Sequence, residues 1–67
     1  MEKDTKKSRL YKRRMELNLT QEEIAKKAGI TRPYYSMIEN GRQDPSLKLA
    51  KKIAKILRSG VDALFYD

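Results

Sequence analysis

The sequence predicts an all-α domain built from five short helices. Apolar residues recur three and four apart in each predicted helix, cap residues open the first four (Ser8, Thr20, Thr31 and Ser46), and no stretch alternates as a half-buried strand would. Sixty-seven residues make one domain, which must pack efficiently because so short a chain buries a modest fraction of its surface. There is no internal repeat and no low-complexity tract.

Residues 1–7 are polar and mostly charged, and read as a flexible basic arm ahead of a domain spanning 8–67. The first helix begins near Ser8. Leu10 and Leu17 stand seven apart with Arg14 between them, so a guanidinium shares a stripe with two leucines. Asn18 suits a left-handed helix stop, with Leu19 folding back onto the last turn. Thr20 and Glu23 have capping-box spacing, and Ile24, Ala25 and Ala28 line one side of the second helix until Gly29 ends it. Thr31 caps a third helix at once, so the two must cross steeply, which the small Ala25 permits. In that helix Tyr35 and Ile38 face the core, and Asn40 with Gly41 stops it.

GRQDP is a loop, and Pro45 with Ser46 starts the fourth helix. Its apolar stripe is Leu47, Ala50, Ile53, Ala54 and Leu57, widened by Leu49 and Ile56. Gly60 permits a break, after which Val61, Leu64 and Phe65 close the core from a last short helix.

The chain has neither cysteine nor histidine, so disulfides, thiolate zinc sites and the usual neutral-pH proton shuttle are absent, and no metal or cofactor is expected. Glu22 and Glu23 are adjacent on a helix and point different ways, so they make no acid–base pair; an enzyme is the least favoured class. No signal sequence or membrane-length apolar run appears, which predicts a cytoplasmic protein without membrane contact. No small-molecule site is evident. A formal charge of +7 on so small a body favours a polyanion, with nucleic acid first.

Two capped helices joined by a glycine turn, about residues 21–40, make a helix-turn-helix. The runs LTQEEIAKKAGIT, YYSMIENGR and PSLKLAKKIAKIL closely resemble the phage Cro/repressor (Xre-like) family of DNA-binding domains, over roughly residues 9–65. The resemblance implies a compact, five-helix, lambda-repressor-like fold whose third helix enters the DNA major groove. It places Arg32, Pro33, Ser36 and Met37 where relatives read bases. Gln21, Tyr34, Asn40 and Arg42 fall at phosphate-contacting positions, Tyr34 also within reach of a thymine. Arg14 and Glu39 match a buried structural ion pair, which would account for the arginine on the apolar stripe. Pro33 is tolerated because a first-turn N–H has no intrahelical acceptor, and its flat edge suits a thymine methyl, while Arg32 can fork onto guanine.

Two departures stand out. Arg13 occupies a position that is usually apolar in the family, and Arg58 with Ser59 replaces the usual glycine and valine before the last helix. The latter region forms dimer contacts in many relatives, so the change bears on the dimer interface. The implied function is a transcriptional regulator, a repressor binding a pseudo-palindromic double-stranded operator as a homodimer. An antitoxin-type autoregulator and a protein-binding adaptor are the alternatives; an adaptor would bind every DNA sequence alike.

Overall fold

The computed structural model describes residues 8–66; the expected N-terminal arm, residues 1–7, and Asp67 lie outside the described residues. Five helices follow in order: α1 (Arg9–Glu16), α2 (Gln21–Ala28), α3 (Arg32–Glu39), α4 (Leu47–Ile56) and α5 (Val61–Phe65). Among the described residues there is no strand.

The helices begin where a hydroxyl can take an orphaned amide. Ser8 accepts from the Tyr11 N–H, Thr20 from Glu23, Thr31 from Tyr34 and Ser46 from Leu49, all at 3.0–3.2 Å. At Thr20 the box is reciprocal, since its own N–H donates to Glu23 Oε1 at 2.7 Å.

Four helices also end alike. A residue with positive φ follows the last turn, and it and the next residue return their N–H groups to the helix: Asn18, Gly29, Gly41 and Arg58 hold that position, with φ of 58°, 77°, 77° and 56°. Glycine adopts this conformation without strain and asparagine does so readily, whereas an arginine there carries a steric cost.

α2 packs on α3 and α4, α4 on α5, and α5 on α1. Ile24, Tyr35, Ile53 and Leu57 are the largest side chains fully shut from solvent, and Leu10, Ala25, Ala28, Ile38, Ala54 and Leu64 complete the core. The expected stripe of α4 holds from Ala50 to Leu57 but fails at Leu47, which is 55 % exposed. A helical stripe is buried only where a neighbour covers it, and Leu47 begins α4 beyond that cover. No helix among the described residues is long and apolar enough to cross a membrane.

Candidate nucleic-acid interface

α3 has two faces of opposite character. Tyr35, Ile38 and Glu39 are buried, while Arg32, Pro33, Met37 and Asn40 are exposed and Ser36 is half-open beside them. Positions 32, 33, 36, 37 and 40 follow the helical repeat, so these side chains share the outward stripe. Asn40 Nδ2 reaches Ser36 Oγ at 3.5 Å along it. Pro33 lies in the first turn, where the helix forfeits no hydrogen bond, and Thr31 still caps Tyr34. Tyr34 is half-buried and packs part of its ring on the core, so it is a less open surface residue than the sequence suggests.

The loop after α3 is held by its own backbone. Gly41 N–H donates to Ile38 O and Arg42 N–H to Met37 O at 2.8 Å, which fixes the base of the exposed Arg42 side chain beside the end of α3.

Behind α3 the expected ion pair is present and bidentate. Arg14 Nε donates to Glu39 Oε1 at 2.8 Å and Nη2 to Oε2 at 3.0 Å, with Glu39 only 4 % exposed. Arg14 Nη1 also donates to the Leu19 carbonyl at 3.0 Å, and its guanidinium lies over the Tyr11 ring. Hydrogen bonding to Glu39 pushes the Arg14 guanidinium pKa up despite its burial. Burial pushes the Glu39 carboxyl up, but the hydrogen bonds from Arg14, the neighbouring Tyr35 hydroxyl, the Gln21 amide and the Arg14 charge together outweigh it and hold the carboxyl below its ordinary value. The buried Tyr35 hydroxyl beside this pair lacks a well-formed hydrogen bond, and burial raises its pKa further from the neutral range.

Gln21 makes an internal contact that its position in the sequence does not reveal. Its Nε2 donates to Glu39 Oε2 at 3.1 Å, so the α2 N-terminus is tied to α3 through the ion pair. That bond uses one of the two amide protons. Arg14, Gln21 and Arg32 come together on the wall of an open groove between the α1–α2 connection and the start of α3.

This arrangement matches a family model described as helix-turn-helix over residues 10–64. The chain belongs to the Cro/C1-type helix-turn-helix family. It is 54 % identical over 58 residues to the uncharacterized HTH-type transcriptional regulator YqaF of Bacillus subtilis, covering 87 % of this chain and 76 % of that protein. It is 42 % identical over 52 residues to the ImmF control region 10 kDa protein of Bacillus phage phi105, covering 78 % of this chain and 58 % of that one. A solved SinR protein/SinI protein complex contains a chain superimposing with a TM-score of 0.77 at 33 % identity; the match covers 85 % of this chain and 56 % of that one. The chain is thus a DNA-binding helix-turn-helix domain of the transcriptional-regulator type.

Within the helix-turn-helix frame, the departures at Arg13 and Arg58 meet each other. Arg13 Nε donates to the Leu57 carbonyl at 2.8 Å and Nη2 to the Arg58 carbonyl at 3.3 Å, closing the C-terminal end of α4. One turn earlier on α1, Arg9 Nη1 donates to the Tyr66 carbonyl at 2.7 Å and, more weakly, to that of Ala63. Arginines four residues apart on α1 therefore hold the ends of α4 and α5. Sequence reasoning missed this clamp; the one available signal was the unexpected charge at Arg13.

Proposed function

We propose that this domain is a cytoplasmic transcriptional repressor that binds a pseudo-palindromic operator as a homodimer, with one α3 in the major groove at each half-site. The observation that carries the reading is the division of α3: a buried anchor of Tyr35, Ile38 and Glu39 behind an outward stripe of Arg32, Pro33, Ser36 and Met37. Such a stripe carries a forked donor for guanine, a hydroxyl for either base edge and apolar groups for a thymine methyl. Gln21, Tyr34, Asn40 and Arg42 flank it and hold the sugar-phosphate backbone, fixing register without reading sequence. The charge of +7 supplies attraction to any duplex.

Helix length favours two copies. Eight residues of α3 extend about 12 Å and face only a few base pairs, too few to mark a unique site, whereas a two-fold pair doubles the read. Selection of bound duplexes from a random pool tests the proposal. Two inverted half-sites with centres about 10 to 10.5 bp apart are expected. Recovery of duplexes with no shared sequence would replace the repressor reading with that of an adaptor.

A further inference from the structure

The chain has no cysteine, so its oxidisable sulfurs are those of Met1, Met15 and Met37. Met15 and Met37 are both open to solvent, at 51 % and 40 % exposure. They differ in what surrounds the sulfur. Arg14 Nη1 lies 3.9 Å from Met15 Sδ, so a guanidinium N–H faces its lone pairs, whereas among the described residues no donor bonds the Met37 sulfur.

Met37 stands on the outward stripe of α3, one turn beyond Pro33, and its carbonyl accepts the Arg42 N–H at 2.8 Å. A chemical change in this side chain therefore falls between the residues proposed to read bases and those proposed to hold phosphate. The fold does not depend on it, because α3 is anchored through Tyr35, Ile38 and Glu39 and Met37 is no part of the core.

A peroxide converts an exposed thioether to its sulfoxide. The sulfur lone pair attacks one peroxide oxygen, the O–O bond breaks as the S–O bond forms, and the departing hydroxide takes the proton of the new S–OH to leave as water. Sulfur gives up the two electrons that the peroxide gains. The product replaces an apolar, polarisable group with a dipole whose oxygen accepts hydrogen bonds and donates none. A thymine methyl offers that oxygen nothing, and guanine O6 and N7 and thymine O4 are themselves acceptors.

We propose, on the reading of α3 as the helix that enters the major groove, that Met37 is a reversible sulfoxidation site through which a peroxide lowers the affinity of this domain for DNA. Methionine sulfoxide reductases supplied with a dithiol return the thioether, the oxygen leaving as water.

The test treats the full chain with hydrogen peroxide, locates each added oxygen by peptide mass spectrometry, and titrates treated and untreated protein against a duplex selected from a random pool and a scrambled one. Met37 should gain oxygen while helical circular dichroism is unchanged, and its sulfoxide should bind the selected duplex about tenfold more weakly. Reductase treatment should recover the affinity. Met37→Leu, which keeps Met1 and Met15, should differ between its own treated and untreated forms by less than about twofold, while Met15→Leu should lose as much as wild type. No oxygen at Met37, unchanged binding by its sulfoxide, an equal loss in Met37→Leu, or loss of helix on treatment would each overturn the proposal. Equal affinity of the untreated chain for the two duplexes would overturn the reading of α3 and the proposal with it, a failure visible before any oxidant is added.

Discussion

Arg13 donates through Nη2 to the main-chain carbonyl of Arg58 at 3.3 Å, across 45 residues of sequence. The same guanidinium takes the Leu57 carbonyl, so a side chain from α1 satisfies the last turn of α4 just where the backbone enters the left-handed region at Arg58. The contact closes the domain behind the helix-turn-helix and suggests where its stability can be raised and lowered.

Arg58→Gly should stabilise the domain by up to about 1 kcal/mol, because glycine removes the steric cost of φ near 56° while keeping the carbonyl that Arg13 uses. Arg13→Ala should cost on the order of 1 kcal/mol, a modest loss because the guanidinium is partly open to water. Urea denaturation of each variant measures both signs, and a destabilised Arg58→Gly would mean that the arginine side chain itself contributes.

Arg14 and Glu39 should behave as a unit. Either single alanine variant strands a buried charge and should cost about 3 to 5 kcal/mol, while the double variant should cost clearly less than the sum. A complete double-mutant cycle by chemical denaturation tests the coupling; additive losses would show the two residues to be independent.

Acid should act through the same carboxylate. Because Glu39 titrates below its unfolded value, its contribution is complete above the unfolded pKa of about 4.3 and is lost as the pH falls through the folded value. Wild type and Glu39→Gln should therefore differ most near neutrality and converge on acidification below about pH 4. Denaturation midpoints measured from pH 7 downward give the two curves.

Tyr35→Phe removes a buried hydroxyl that makes no good hydrogen bond, and keeps the ring that fills the core. The variant should match or exceed wild-type stability, by up to about 1 kcal/mol. A loss of that size instead would assign the hydroxyl a partner in Glu39.

Arg32 and Arg42 should separate base reading from phosphate contact. Arg32→Ala should cost about 1 to 3 kcal/mol on the preferred site and flatten preference at one base pair, while Arg42→Ala should weaken all sequences alike and lower the salt slope by roughly one unit. Pro33 and Met37 should matter where thymine is preferred, and replacing it by uracil should reproduce their loss. Titrations on specific and scrambled duplexes at several salt concentrations decide; identical uniform losses for both arginines would remove base reading from α3.

The sequence by itself determined where the first four helices begin and where the first three end, because those depend on neighbours within a few residues; α4, which the sequence would break at Gly60, instead ends at Ile56 with Arg58 in the left-handed conformation. Ser8, Thr20, Thr31 and Ser46 needed only the amide three residues on, and Asn18, Gly29 and Gly41 only the turn just behind them. Periodicity likewise separated Tyr35 and Ile38 from the outward positions of α3, and the family resemblance supplied the partner of Arg14. Tertiary structure alone decided the rest. Leu47 continued a valid stripe and is nonetheless uncovered, since burial requires a neighbouring helix that periodicity does not describe. Gln21 turned partly inward to Glu39, and Arg9 and Arg13 reached carbonyls of α4 and α5 across 44 to 57 residues. Every peptide offers the same carbonyl, so its partner is chosen by how the helices pack and leaves no mark in the residue that provides it.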